Sequence, residues 1–374
     1  MQKKIEIEKY LCILLVILFF ILLNGACKSR SIPADGGIET AVGEDVSDNP
    51  VHSQEVMAEH DTAMDEADQE EAIISNEEEY TPLIFNEIWA YLIDYDEASL
   101  KKHYPVTDIG YFGAGLSTFG KLIGVPALKR LPHYEGRVHL VIADNSKALT
   151  HFCLDPSFSV RNELLASIIK AAEPFDGVQI DFELVSASDK EHFWSFLREL
   201  KEGLGSKILS AAIPARTKTL SDDAYDYKKI ADIADRIIVM AYDEHWSGSK
   251  PGSIASLAWC KNVANYAISV IPSHKLVMGL PFYGRAWSDD DTTGAYRNSS
   301  VQRVMREQGI VEAERVQGIP SFSFSKTVTF TFFFEDVQSL YTRLSMYKDK
   351  GLNSAAFWRL GQEDTGIWNY INIE

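Results

Sequence analysis

Residues 176–183 read Asp-Gly-Val-Gln-Ile-Asp-Phe-Glu. Side chains on a strand alternate between its two faces. Gln179, Asp181 and Glu183 therefore share one face, and Val178, Ile180 and Phe182 share the other. Two carboxyl groups and an amide on one face are expensive to desolvate unless they are paired or used. Two readings are open. The acids can cap the helix that follows, a service that Ser186 and Ser188 could also perform. Alternatively they face a cleft and do acid–base chemistry. One carboxyl would then protonate a leaving oxygen, and a negative charge beside it would keep it protonated near neutrality. Cleaving a glycosidic bond needs such a donor, together with stabilisation of an oxocarbenium-like centre. Most glycosidases divide this work between two separated carboxylates. Two acids on adjacent same-face positions suit another division, in which one donates the proton and its neighbour steers an amide of the substrate onto the anomeric carbon.

The strand that carries these acids belongs to a longer series. Short apolar, β-branched runs occur at 88–93, 109–112, 138–142, 178–182, 208–213, 237–241, 276–280 and 355–358. Amphipathic stretches lie between many of them, as at 161–172, 190–203 and 258–270. Strands alternating with helices predict a parallel sheet with right-handed crossovers. Eight such units predict an α/β fold, a closed (β/α)8 TIM barrel. A doubly wound open sheet is the competing architecture, but no Gly-rich phosphate loop follows the first strand. In a barrel, polar inward residues near the C-terminal end of a strand point into the mouth. The long interval between the seventh and eighth runs holds β-like residues at 328–334. It predicts a small α+β insertion, about 287–334, that walls one side of a cleft.

The 374 residues are 46% hydrophobic and carry a net charge of -18. That apolar fraction excludes a wholly disordered chain, and the acidity argues against a nucleic-acid partner. The charge is unevenly spread. Residues 28–80 hold sixteen acids against Lys28 and Arg30, whereas residues 81–374 carry a net of only -5. Such a stretch cannot bury enough apolar surface to offset its ordering entropy, and it reads as an acidic disordered linker. Residues 1–27 read as an export signal, with Lys3, Lys4 and Lys9 before thirteen apolar residues, 11–23. That run is short for a membrane span, which needs roughly 20 residues. Small residues before Cys27 suggest a lipoprotein signal with Cys27 acylated after cleavage, tethering the protein to a bacterial membrane; Asn24 departs from the usual Leu. Cys153 and Cys260, the only cysteines of the folded part, show no metal-ligand spacing and read as buried free thiols.

The folded part, roughly 82–374, resembles glycoside hydrolase family 18, the chitinase-like enzymes. Residues 176–183 look like its Asp-Gly-x-Asp-x-Asp-x-Glu signature. Met240-Ala-Tyr-Asp243 resembles its sixth-strand motif, 279–287 (Gly-Leu-Pro-Phe-Tyr-Gly-Arg-Ala-Trp) its seventh, and 356–361 (Ala-Phe-Trp-Arg-Leu-Gly) its eighth. All four stand in family order. The variants around 179–183 and 242–246 look most like the branch of spore-cortex and peptidoglycan N-acetylglucosaminidases. The resemblance implies a β-1,4-linked N-acetylglucosamine glycan as substrate, retention at the anomeric centre, no metal or organic cofactor, and a monomer.

It also implies roles. Glu183 would be the general acid and then the base that activates water. Asp181 would hold the 2-acetamido group and stabilise the oxazolinium intermediate. Tyr242 would donate a hydrogen bond to the acetamido oxygen, and Asp243 would bind a sugar hydroxyl or the acetamido-bearing sugar beyond the cut. Trp358 would form the floor under the sugar at the cut, and Gln179, Met240 and Arg285 would line the site. Bland alternatives stand beside these: Trp358 as core, Tyr242 as a satisfied interior phenol, Arg285 as a structural ion-pair partner, His245 as a structural imidazole. Gln179 replaces the family's middle Asp; it can hydrogen-bond Asp181 but cannot take its proton, so an altered pH profile is expected. Residues 139–146 lack the Ser-x-Gly-Gly of typical chitinases, which argues for peptidoglycan fragments over long chitin. The rival functions are a lectin-like barrel without catalysis and a tethered protein that works through its acidic segment.

Overall fold

The computed structural model describes residues 80–290, 293–325 and 327–374. The export signal, Cys27 and the acidic stretch read in residues 1–79 lie outside the described residues. Eight parallel strands run through the rest: β1 Glu87–Ile93, β2 Asp108–Leu116, β3 Arg137–Asp144, β4 Gly177–Phe182, β5 Ile208–Pro214, β6 Arg236–Met240, β7 Leu276–Pro281 and β8 Ser354–Trp358. Each pairs with the next, and β8 also pairs with β1, placing Ala356 opposite Trp89. The sheet therefore closes into the expected (β/α)8 barrel, and the open-sheet alternative fails.

Period-two alternation sorts the side chains. Ile88, Ala90 and Leu92 of β1 pack outward into the main core, while Trp89 and Tyr91 fill the interior. In β6, Ile237 and Val239 face out and Ile238 faces in. Because both faces are buried, barrel strands read as nearly continuous apolar runs. β4 is clamped from outside by helix Lys190–Leu204, whose Phe193, Phe196, Leu197 and Leu200 recur at helical spacing on its buried face. The Phe196 ring lies 6.1 Å from that of Phe182. Truncating Phe182 to Ala would cost about 3–5 kcal/mol. Cys153 and Cys260 are buried and free.

The N-terminal end of the barrel is closed by charge. Glu87 accepts bonds from Arg236 Nη2 (2.7 Å) and Arg137 Nη2 (2.9 Å). Asp108, fully buried, accepts from Arg137 Nε (2.6 Å) and pairs with His139 Nε2 (2.8 Å). The His139 ring stacks on Trp89 with centroids 4.2 Å apart.

Between β7 and β8 stands a five-stranded antiparallel sheet, in spatial order Thr293–Tyr296, Gly284–Ser288, Thr329–Phe333, Ile319–Ser325 and Glu314–Val316. Helix Asn298–Gln308 covers it, with Val301 and Met305 packed on Ala286, Phe322 and Phe332. Phe322 and Phe332 sit opposite each other with rings stacked 4.6 Å apart. Cross-strand aromatic pairs of this kind hold short sheets in register. The first strand of this sheet begins three residues after β7 ends, which fixes Arg285 close to the barrel mouth.

Candidate active site

The site is built from the C-terminal halves and ends of β1, β2, β4, β6, β7 and β8. On β4 the register places Gln179 and Asp181 on the interior face; Gln179 is fully buried and Asp181 is buried as well. Glu183 follows the last strand residue, and its backbone N–H donates to the Asp144 carbonyl of β3 (2.9 Å). The acids therefore sit at the mouth, and Glu183 is open to it. The helix-cap reading of the pair fails. Helix Lys190–Leu204 begins beyond a 3-10 turn, with Asp189 at its cap position.

Electrostatics couples the acids. Burial, and then the charge of Glu183, hold the Asp181 carboxyl well above the usual carboxylate range. Glu183 is open on its cleft side and crowded by protein on the others. That desolvation raises it, and the charge of Asp243 adds to the rise. Both effects disfavour the ionised form, so Glu183 keeps its proton to higher pH than a free glutamate.

β6 and β7 contribute the phenols. Tyr242 and Tyr283 approach edge to face, with centroids 6.4 Å apart. Burial raises the Tyr242 hydroxyl far above its ordinary value, and Tyr91, Asp181, Tyr283 and Asp243 add to the rise, so it remains a proton-bearing donor. Gly279 makes room for it: a Cβ there would meet Tyr242 Cε1 at 3.2 Å and the Val239 carbonyl oxygen at 2.9 Å. Asp243 turns the chain with φ 58°, a left-handed conformation that Asp tolerates. Its Oδ1 accepts the Tyr283 hydroxyl at 2.5 Å and Arg285 Nη2 at 3.2 Å.

β8 and β1 supply the floor. Trp358 packs against Phe112, centroids 4.8 Å apart and edge-on, and against Tyr91 at 5.4 Å. Gly110 admits the Tyr91 ring, since a Cβ there would lie 2.5 Å from Tyr91 Cδ1. Buried polar atoms without a partner among the described residues converge here: both amide atoms of Gln179, Asp181 Oδ1 and the Tyr91 hydroxyl.

The fold thus gathers Gln179, Asp181, Glu183, Tyr242, Asp243, Arg285 and Trp358 around one mouth. Arg285 is committed to Asp243, as an ion-pair partner would be. Met240, half-buried, ends β6 on the inward side that it shares with Ile238, and no polar contact ties it to the acids. His245 is structural, with Nδ1 against the Ser253 carbonyl at 2.8 Å. Sequence reasoning missed Tyr91 and Phe112 beneath Trp358 and the Tyr283 bond to Asp243. Tyr91 carried a signal, since it alternates with Trp89 on one face of β1. Among the described residues, no group of three or more His, Cys, Asp or Glu side chains is arranged to hold a metal ion. A second recess, lined by Asn86, Glu87, Arg236, His274 and Ser354, opens at the strands' N-terminal ends, away from the acids.

The arrangement can hold a proton on one carboxyl to higher pH than a free glutamate would, offer a second carboxyl and a phenol to an amide, and seat an apolar ring face on an indole. Comparisons with known proteins point the same way. The model of glycosyl hydrolases family 18 matches residues 149–363. The chain is 32% identical over 200 residues to the putative sporulation-specific glycosylase YdhD of Bacillus subtilis, covering 50% of this chain and 47% of that protein. It is 28% identical over 231 residues to the cortical fragment-lytic enzyme of Bacillus subtilis, covering 56% and 52%. The chain spans about half the length of these curated relatives. The crystal structure of the Bacillus cereus spore cortex-lytic enzyme SleL superposes with a TM-score of 0.68 at 23% identity, covering 77% of this chain and 75% of that one, a likeness of fold.

Proposed function

Because the chain belongs to family 18 of the glycosyl hydrolases, we propose that it hydrolyses β-1,4-linked N-acetylglucosamine in a glycan, with the substrate's own acetamido group as nucleophile. Glu183 gives its proton to the glycosidic oxygen as the bond to the anomeric carbon breaks. The acetamido carbonyl oxygen attacks that carbon from the opposite face, forming a cyclic oxazolinium ion. Asp181 accepts a hydrogen bond from the acetamido N–H and balances the positive charge, while Tyr242 donates to the acetamido oxygen. Glu183, now a carboxylate, removes a proton from the water that opens the ring, and the anomeric configuration is retained. Trp358 stacks under the sugar, whose C–H face suits an aromatic surface.

The single observation that carries this reading is the geometry of the pair: Glu183 stands exposed at the mouth, two residues beyond the buried, inward-facing Asp181 of β4. The similarity to the cortical fragment-lytic and sporulation-specific proteins favours peptidoglycan or its fragments over chitin as the substrate. Export and anchoring through acylated Cys27 extend the proposal and rest on residues 1–27 alone. Glu183→Gln should lower turnover at least ~100-fold with the fold intact, the size of a lost general acid. Near-normal turnover in that variant would sink the assignment. Mass analysis of products from purified peptidoglycan and from chitin oligomers decides the substrate.

A further inference from the structure

Glu183 lies one residue beyond β4, and after its own N–H, which still bonds to β3, ladder hydrogen bonds no longer fix the chain. The turn is instead held from the side by Tyr225, on the loop after β5. The Tyr225 hydroxyl donates to the Phe182 carbonyl at 2.6 Å and accepts from the Val185 N–H at 2.9 Å. One bond falls just before Glu183 and the other two residues after it, so a single hydroxyl brackets the acid. A third bond, from the Glu183 N–H to the Asp144 carbonyl (2.9 Å), holds the other side of the same Phe182–Glu183 peptide.

Tyr225 is itself held. It is 6% exposed, and its ring meets Phe193 edge-on at 5.9 Å. Its N–H donates to Asp223 Oδ1 (3.1 Å), and Arg216 Nε binds the same carboxylate through Oδ2 at 2.8 Å. A buried hydroxyl that gives and accepts one bond each to backbone has no conformational slack, and losing it strands a buried carbonyl and a buried N–H.

We propose that Tyr225 is a positioning residue for proton delivery: it sets the direction of the Glu183 carboxyl by pinning the backbone on both sides of it. This inference rests on the reading of Glu183 as the general acid. A misplacement of the acid by about 1 Å costs on the order of 10- to 100-fold in rate. The loss should be selective. A glycosidic oxygen that leaves as a sugar alkoxide needs the proton, whereas a nitrophenolate leaves with little help.

The test compares Tyr225→Phe, Glu183→Gln and Glu199→Gln in the full chain. Glu199 holds Arg161 on the outer helices (2.7 Å), so its variant matches a loss of stability without touching the mouth. For Tyr225→Phe we expect kcat on an N-acetylglucosamine oligomer to fall about 10-fold with KM within twofold, and a clearly smaller loss on the 4-nitrophenyl glycoside. Glu199→Gln should keep both rates. Equal losses on the two leaving groups, or an unchanged kcat while Glu183→Gln is inactive, would overturn the inference and leave the reading of Glu183 standing. An active Glu183→Gln removes that reading and the inference with it. Should Tyr225→Phe fail to fold, Asp223→Asn, which weakens the anchor of the Tyr225 N–H, is held to the same selective loss.

Discussion

Asp181 precedes Glu183 by two residues at the end of one strand, and the charge of Glu183 adds to burial in raising the Asp181 carboxyl. Glu183 is raised in turn by its own desolvation and by Asp243. Glu183 therefore keeps its proton to a higher pH than an isolated glutamate does. Tyr283 and Arg285 fix Asp243, so its charge acts on Glu183 from a set position.

Removing the Asp243 charge should move the pH profile. Asp243→Asn deletes a negative charge that disfavours ionisation of Glu183, and it leaves Arg285 unpaired nearby. Both changes stabilise the Glu183 carboxylate and lower its pKa. The alkaline limb of kcat/KM should shift to lower pH by on the order of one unit, with more activity lost at pH 8 than at pH 5. A limb that stays fixed or moves upward would show that Asp243 does not tune the acid.

Gly279→Ala should damage the site through Tyr242. The new methyl would stand 3.2 Å from Tyr242 Cε1 and 2.9 Å from the Val239 carbonyl oxygen, so the ring or β7 must shift. Displacing the phenol should reduce kcat/KM about 10- to 100-fold, with the circular dichroism spectrum of the barrel retained. Unchanged kinetics would mean that Tyr242 does not need its present position.

The same contrast between strand and loop decides what the sequence made legible. The barrel strands could be read because burial on both faces leaves continuous apolar runs, and Asp181 stood out because a carboxylate interrupts one at period two. Arg285 and Asp243 were each legible as polar residues beside a strand end, but their pairing was not, because it joins positions 42 apart through the turn at Asp243. Tyr225 reaches the Phe182 carbonyl across 43 positions from a loop, whose path no periodicity encodes. The ionic closure of the barrel floor escaped for a like reason: Glu87 and Arg236 are 149 positions apart, and each reads alone as an ordinary charge at a strand start.

Asp144 should make the fold less stable as pH rises. It is buried at the end of β3, and desolvation raises its carboxyl to about 6, against one opposing bond from the Ser146 N–H. A raised carboxyl leaves stability unaffected below the unfolded value, near 3.8, and withdraws it progressively as pH climbs to about 6. Asp144→Asn keeps an acceptor for the Ser146 N–H and removes the penalty. The variant should match the parent at pH 3.5 and be more stable at pH 8 by up to about 3 kcal/mol, read from urea denaturation. Equal stability at pH 8 would show that the carboxylate is not penalised there.

Glu87 should act in the opposite sense. Burial alone would raise its carboxyl, but bonds from Arg236, Trp89 and Arg137 outweigh that and bring it down to about 2. A depressed carboxyl contributes stability that is complete above the unfolded value, near 4.5, and is lost as pH falls through about 2. Glu87→Gln should therefore cost about 3 kcal/mol at pH 7, and the gap between variant and parent should narrow as the pH approaches 2. The charged groups that Glu87 joins lie at the N-terminal ends of β1, β3 and β6, at the far end of the barrel from Glu183. Hence kcat/KM measured well below the variant's melting temperature should stay within about twofold of the parent, a rate change worth less than 0.5 kcal/mol. A large kinetic loss at full folding would show that the floor of the barrel is coupled to its mouth.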